Sequence, residues 1–275
     1  RWYGADLQMD IAKHVSIWGN LRDHSWSGNW LNKNFYPNDD ARRIGARIHY
    51  GASQQQPALN TIAGVQYKEA NYGGDFSDSK GGIALHAWWG SIAIQRENIQ
   101  WGDAYHASNI LSGRAPAIPM ISLQLTPCKW FQFDYFHAWL ISNVLDSTYY
   151  YQEHSTKPNV PITNYRPMNK FMAANMFTFI PVKQLSFSIG NSIIYSEKTI
   201  QAAYLIPIAF YKSLDHLLTK GIATQNQNSQ VFASLSVRPV KHLHLYGSFY
   251  VDEFALKRLK KSNPERNPFS YLVGF

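Results

Sequence analysis

The stretch YGADLQMDI, residues 3–11, alternates apolar and polar side chains over nine positions. Tyr3, Ala5, Leu7, Met9 and Ile11 occupy one set of positions, and Gly4, Asp6, Gln8 and Asp10 occupy the other. Successive side chains of a β-strand point to opposite faces, so a period of two indicates a strand. The stretch therefore predicts a strand with one apolar face and one polar face.

The same alternation recurs along the whole chain. It is clear in RIGARIHYG (43–51), in QVFASLSVRP (230–239), where Phe232 is the exception, and in HLHLYGSFYVDEF (242–254). About a dozen such segments have the length of roughly 9–11 residues that a tilted strand needs to cross a bilayer. Strands with an apolar outside and a polar inside are typical of a closed membrane barrel. A soluble propeller or sandwich would also alternate, but no four-strand blade repeat is present.

Composition agrees with a surface that does not face water. Charged residues are 16% of the chain, against about 25% in soluble domains, and aromatic residues are 15%. The net charge of +8 is compatible with nucleic acid, anionic lipid or acidic glycans as partners. Cys128 is the only cysteine, which excludes a disulfide framework. No apolar run is long enough for a membrane helix.

Turn signals divide the chain into short and long connections. The Pro-x-Lys sequences at Pro127, Pro181 and Pro239 predict short turns. Long loops are predicted at 23–41, 71–81, 98–118, 143–168, 198–229 and 253–267. Residues 208–218 have helical spacing, which predicts a short helix over or inside the barrel. Short turns on one rim and long loops on the other are usual in outer-membrane barrels.

The fold prediction is therefore an all-β protein: a transmembrane, antiparallel, up-and-down β-barrel of the bacterial outer membrane. Its long loops lie on one rim and its polar lumen is plugged or narrow. Residues 1–275 form a single domain. About thirteen strands are expected, an odd number, whereas single-chain bacterial barrels usually have an even number. Hairpins are therefore expected to be missing at one or both ends.

Three motifs carry a resemblance to a known family. ENIQWGDAYHASNILSGRAPAIPMISL (97–123) contains Trp-Gly followed by LS-x-x-A-P-x-x-P, YLIPIAFYKSLDH covers 204–216, and LYGSFYVDEF covers 245–254. In this order they resemble the Wzi capsule-assembly family of outer-membrane β-barrels, in its Bacteroidetes-type branch, over roughly 90–275. The second motif departs from the family at Ile206, Lys212 and Asp215. The residues that match the first motif are Trp101, Gly102, Leu111, Ser112, Ala115, Pro116 and Pro119.

The resemblance implies a non-enzymatic protein that attaches or organises a surface polysaccharide, without cofactors. Its partners would be outer-membrane lipid or lipopolysaccharide, the polysaccharide, and other envelope proteins, but not nucleic acid. Two alternatives stay open: a scaffold subunit of a larger secretion or gliding machine, and a diffusion channel or transporter component. A scaffold should co-purify with stoichiometric partners, and a channel should conduct ions.

Polar residues at 103–112 raise the question of catalysis. Asp103, His106, Ser108 and Ser112 have the residue types of a hydrolytic centre. A catalytic nucleophile needs a strained turn and a base within hydrogen-bond reach, and no Gly-x-Ser-x-Gly elbow is present. The interpretation that we favour is a structural loop that caps the barrel or folds into it, so no catalytic residue is predicted.

Metal binding is a second question that the histidines raise. His242 and His244 share one face of a predicted strand, but a zinc site normally takes three or four ligands and no third is nearby. The sequence therefore predicts no metal.

Charged and aromatic residues provide candidates for contact with the lumen or with a glycan. They are Arg43, Arg47, Arg96, Glu97 and Asp252, with Trp26 and Trp30 as stacking candidates. Opposite charges that only brace the lumen are the alternative interpretation. A basic loop at 256–266 could contact lipopolysaccharide phosphate or acidic capsule, or it could be merely solvated. Its cations are Lys257, Arg258, Lys260 and Lys261.

Overall fold

The computed structural model describes residues 2–27, 47–50, 54–59, 66–70, 73–105, 108–113, 115, 117–140, 142, 145–154, 161–218, 227–252 and 268–275. The strands are β1 (Trp2–Ile11), β2 (Val15–Ser27), β3 (Arg47–Tyr50), β4 (Gln54–Leu59), β5 (Gln66–Ala70), β6 (Gly73–Ala87), β7 (Gly90–Glu97), β8 (Gln100–Trp101), β9 (Leu111–Ser112), β10 (Ile118–Cys128), β11 (Phe131–Leu140), β12 (Leu145–His154), β13 (Pro161–Pro167), β14 (Lys170–Val182), β15 (Leu185–Tyr195), β16 (Gln227–Val237), β17 (Leu245–Asp252) and β18 (Phe269–Gly274). A 3₁₀ turn (Ala202–Leu205) and helix α1 (Tyr211–Leu218) lie between β15 and β16.

One large antiparallel sheet dominates the fold. Within the described residues, eleven of its twelve strands follow the order β1-β2-β6-β7-β10-β11-β14-β15-β16-β17-β18, and the twelfth, β5, pairs with β6 beside that path. Three small hairpins, β3-β4, β8-β9 and β12-β13, lie outside it. Among the described residues, no pairing joins β1 to β18. The prediction of an all-β fold with antiparallel strands is confirmed.

Several predicted boundaries need correction. The loop predicted at 71–81 is wrong, because β6 begins at Gly73 and pairs with β2 as far as Ser27. The hairpin β12-β13 lies inside the predicted loop 143–168. The short turns predicted from Pro127, Pro181 and Pro239 are confirmed between consecutive strands. A helix within 208–218 is also confirmed, although it begins only at Tyr211.

The register carries the alternation from strand to strand without interruption. Met9 lies opposite Ile17, which lies opposite Ile83, and Ile83 lies opposite Ile94. On the other side of the same strands, Ser16 lies opposite Ala84. In-register pairing therefore gives the sheet one continuous apolar face and one continuous polar face.

Burial of these two faces is inverted relative to a water-soluble sheet. Ile94, on the apolar face, is 65% exposed, whereas Gln230, on the polar face, is 2% exposed. Other exposed side chains of the apolar face are Leu7, Leu21, Leu85, Leu235, Phe249 and Tyr271. Other buried side chains of the polar face are Asp78, Ser188, Ser192, Ser234 and Ser236. At these positions the sheet shelters polar side chains and presents apolar ones, although Phe133, Ile193 and Tyr195 of the apolar face are buried and Gln8 of the polar face is exposed.

The polar face is concave. In a flat sheet β11 and β16 would be three inter-strand spacings apart, at least about 14 Å. The indole ring of Trp101 nevertheless lies 5.1 Å from the ring of Phe136 on β11 and 5.9 Å from that of Phe232 on β16. The sheet must therefore curl around whatever lies on its polar face. Within the described residues, no helix has the length and apolarity needed to cross a membrane.

Candidate functional site

The concave face is occupied by a segment that runs from β7 to β10. We call its described residues, 98–105 and 108–113, the inner segment. Its strands β8 and β9 pair Gln100 with Ser112 and Trp101 with Leu111. Gly102 has a φ of +104°, and a Cβ atom there would lie 2.7 Å from the hydroxyl oxygen of Ser108. Glycine is therefore required at 102 for the tight fold of this segment.

Trp101 anchors the inner segment by apolar packing. Its ring lies edge-on to Phe136 and tilted against Phe232. Ile110 of the inner segment adds a contact with Met176 of β14. The ring of Phe232 lies over Gly190, where an added Cβ atom would come within 2.4 Å of it. This glycine on β15 therefore makes room for the Phe232 ring, and that ring forms one wall of the socket that holds Trp101.

Polar bonds hold the remainder of the inner segment against distant strands. The Ser186 hydroxyl on β15 donates to Asp103 Oδ2 at 3.1 Å. The Ser248 hydroxyl on β17 donates to Asn109 Oδ1 at 2.5 Å, and Asn109 Nδ2 donates to Ser270 Oγ on β18 at 3.1 Å. Since these partners span four neighbouring strands, the segment ties one side of the sheet together.

The residues considered for hydrolysis take part in separate contacts. Asp103 binds Ser186, whereas the Ser108 hydroxyl donates to the carbonyl of Trp101 and accepts the backbone N–H of Ile110 at 3.2 Å. Ser112 lies in the β8-β9 hairpin. His106 lies outside the described residues. The described members thus serve to fold and dock the inner segment, in line with the structural interpretation of this stretch.

The predicted contact residues are not brought together. Glu97 lies on the polar face and accepts the Trp18 indole N–H at 3.1 Å, and Asp252 accepts Gln230 Nε2 at 3.4 Å. The register separates Arg96 from Glu97: Arg96 shares the apolar face with Ile94 and donates to Ser79 Oγ at 3.1 Å. The Arg96 guanidinium also forms an ion pair with Asp78, at 3.7 Å.

Several predicted residues are not described. Outside the described residues lie Arg43, Trp30, Pro116, Lys257, Arg258, Lys260 and Lys261. Trp26 and Arg47 belong to β2 and β3, but their side chains are not described. Pro119 lies on β10 opposite Arg96.

The histidine pair is separated as well. His242 lies in a turn with a φ of +69°, while His244 Nε2 lies 2.8 Å from the Ser236 hydroxyl. Within the part of the chain that the structure describes, no three His, Cys, Asp or Glu side chains gather as metal ligands.

A second docked segment covers the other face of the sheet. We call residues 198–218, which contain the 3₁₀ turn and α1, the outer segment. Its Tyr204 and Tyr211 rings are fully buried against the apolar-face side chains Phe133, Ile193 and Tyr195. Burial raises the pKa of both phenols well above its usual range. The helix therefore lies on the apolar face, which corrects the prediction that places it over or inside the barrel.

Two asparagines fasten the outer segment to the apolar face. Asn175 on β14 is fully buried, and its Nδ2 donates to the carbonyls of Pro207 at 2.7 Å and Ala209 at 2.8 Å. Asn191 Nδ2, on β15, donates to Asn175 Oδ1 at 2.7 Å, and Asn191 Oδ1 accepts the Tyr211 backbone N–H at 2.9 Å. We call this pair the asparagine clamp.

The asparagine clamp has a signal in the sequence, which is a polar residue in an apolar register. Asn175 is in phase with Phe171 and Phe177, and Asn191 is in phase with Ile189 and Ile193, all on the apolar face. A polar side chain in an apolar register on two adjacent strands needs a polar partner there.

Compared with known protein families, curated proteins and solved structures, the chain matches none.

Replacing Gly190 with alanine is expected to lower the free energy of unfolding by about 1–3 kcal/mol, the usual result of overpacking. The added methyl would meet the Phe232 ring and the Asn175 carbonyl, both within 2.4 Å. Gly19→Ala is the matched control, because a Cβ atom at Gly19 meets nothing within 4 Å. Urea unfolding of both variants checks this, and equal midpoints would contradict the close packing at Gly190.

Proposed function

We propose that this sheet is the wall of a β-barrel in the bacterial outer membrane, and that the protein attaches a surface polysaccharide to the cell without enzymatic activity. The observation that carries the proposal is the inverted burial of the two faces. Soluble monomers rarely expose contiguous apolar patches larger than a few hundred Å², whereas here exposed apolar side chains occur on strands from β1 to β18. Lipid is the environment in which such a face is stable.

The concave polar face gives the proposed barrel its lumen. Closure would remove the unpaired edges of β1 and β18, and an unpaired edge is not tolerated in hydrocarbon. The inner segment would then fill the lumen, packed through Trp101 and bonded through Asn109. A filled lumen would block diffusion of solutes through the barrel. It therefore favours a role in attachment at the cell surface over a role as a diffusion channel. The resemblance of residues 97–123 to capsule-assembly proteins supports a polysaccharide as the attached molecule.

Neighbouring residues on β1 test the proposed membrane wall. Leu7 and Gln8 are both exposed, Leu7 on the apolar face and Gln8 on the polar face. In lipid bilayers Leu7→Arg is expected to cost about 2–4 kcal/mol of folding free energy, because the cation would face hydrocarbon. Gln8→Arg should cost less than about 1 kcal/mol. Urea titration in lipid vesicles measures the change in folding free energy for both variants. Two equal and small changes are expected for exposed positions in water, and this result would contradict the proposed membrane wall.

The proposed attachment is tested with cells and with purified protein. Deletion of the gene should reduce cell-bound polysaccharide while total synthesis continues, and the purified protein should bind the host's own polysaccharide. In planar bilayers the protein should leave the membrane electrically sealed. Unchanged cell-bound polysaccharide together with no binding in vitro would contradict attachment, and steady ion conductance would favour a channel.

A further inference from the structure

We call residues 199–211 the tip of the outer segment, and these thirteen residues carry no charged side chain. TIQAAYLIPIAFY, residues 199–211, lies between Lys198 and Lys212 and contains no Asp, Glu, Lys, Arg or His. Apolar stretches of this length are typical of buried helices or of re-entrant segments in membranes. Here the stretch is mostly irregular, with only the short 3₁₀ turn before α1.

The tip exposes apolar side chains on the side away from the sheet. Ile208 is 71% exposed, and Leu205, Ile206 and Phe210 are also exposed. The opposite side packs on the apolar face through Tyr204 and Tyr211. The exposed side chains of the tip thus continue the apolar surface of the wall, where Phe187 and Ile189 of β15 are exposed.

Polar backbone groups on the sheet side of the tip are bonded within the protein. The asparagine clamp accepts the Tyr211 N–H and binds the carbonyls of Pro207 and Ala209. The Tyr135 hydroxyl donates to the Tyr204 carbonyl at 3.2 Å, and the Ala209 N–H donates to the Ile206 carbonyl at 3.3 Å. Irregular backbone is tolerated at membrane depth only where the protein satisfies its polar groups.

We infer that residues 199–211 form a re-entrant element that lies among lipid acyl chains against the outside of the wall. The inference rests on the proposed function, because the wall itself must be in the bilayer. The partner of this surface is the hydrocarbon of the lipid, which contacts Leu205, Ile206, Ile208 and Phe210. The clamp holds the element in place, and Lys198 and Lys212 mark where the charge-free stretch ends.

Nitroxide labels at single cysteines test the inference in the full chain. Cys128→Ser removes the only native cysteine, and separate variants then introduce Ile208→Cys at the tip, Ile94→Cys on the wall and Val240→Cys in a turn. Each protein is reconstituted into phosphatidylcholine vesicles. Collision rates with oxygen, which is enriched in hydrocarbon, are compared with those for a water-soluble nickel chelate.

The label at Ile208 should behave like the label at Ile94, with oxygen collisions dominant, while at Val240 the nickel chelate should dominate. If Ile94 reports lipid and Ile208 reports water, the re-entrant element is overturned and the wall remains. If collisions with the nickel chelate dominate at the Ile94 label, the wall does not face lipid, and the proposed function itself is contradicted. Spin–spin broadening at Ile208 would mean that a second copy covers the tip, which would also overturn the inference.

Discussion

Trp101→Ala is expected to weaken the docking of the inner segment by about 3 kcal/mol, the lower end of the usual cost of truncating a buried tryptophan, because Trp101 is half-buried. The substitution removes the ring that contacts both Phe136 and Phe232. The remaining anchors are the apolar contact of Ile110 and the hydrogen bonds made by Asp103 and Asn109, each bond worth about 1 kcal/mol net. The segment should therefore leave the concave face for a substantial fraction of the time.

Two measurements follow the loss of Trp101. Limited proteolysis should cut the variant within residues 98–113 much faster than the parent protein, while the strands stay intact by circular dichroism. If the sheet closes as proposed, planar bilayers that are sealed with the parent protein should conduct with the variant. Trp88→Ala is the matched control, because Trp88 lies in a turn and is 85% exposed. Equal cleavage rates for the two variants would contradict the anchoring role of Trp101.

Strand positions and face assignments could be predicted because they depend on local alternation. Leu7 and Gln8 point to opposite faces whatever the rest of the chain does. Alternation alone does not decide which face is buried, since burial depends on how the sheet curves; the apolar outside and the polar inside follow only from the predicted barrel. The wrong prediction of a loop at 71–81 also has a physical reason. Gly73 and Gly74 resemble turn residues, but pairing with Ser27 and Trp26 of β2 draws them into β6.

The docking of the two long segments depends on contacts far apart in sequence. From the sequence alone, Trp101 could equally be an anchor inside the sheet or an aromatic residue at a membrane interface. The choice depends on Phe232, which is 131 residues later in the chain and lies over Gly190. The outer segment is similar, because its helix is amphipathic and could pack on either face. Only the asparagines in apolar registers distinguish the faces. Asn175 and Asn191 mark the place where a segment must supply polar partners on the outside.

Asn175→Leu should release the outer segment from the apolar face. The substitution removes the bonds from Asn175 Nδ2 to the carbonyls of Pro207 and Ala209 and the acceptor Asn175 Oδ1 for Asn191 Nδ2, which keeps only its 3.3 Å bond to the Ala209 carbonyl. A buried polar group that loses its partner costs about 1–3 kcal/mol, so the total expected loss of docking free energy is about 3–5 kcal/mol. The added apolar area of leucine offsets little of this, because the carbonyls stay buried while the segment is docked.

Release is measured by the accessibility of a cysteine on the side of the segment that packs against the sheet. The variants are built in the Cys128→Ser background. They also carry Tyr211→Phe, which preserves the buried ring, and Leu214→Cys on α1, whose rate of maleimide labelling reports the opening of the segment. Asn175→Leu should raise that rate by about 100-fold or more, since 1.4 kcal/mol corresponds to a factor of ten. Asn169→Leu is the matched control: Asn169 is exposed, and its side chain makes one bond, from Nδ2 to the Lys198 carbonyl at 2.8 Å. A change of less than about threefold is expected there. Equal labelling rates for the two variants would mean that the clamp does not hold the segment, and the packing of Tyr204 and Tyr211 would have to account for its docking.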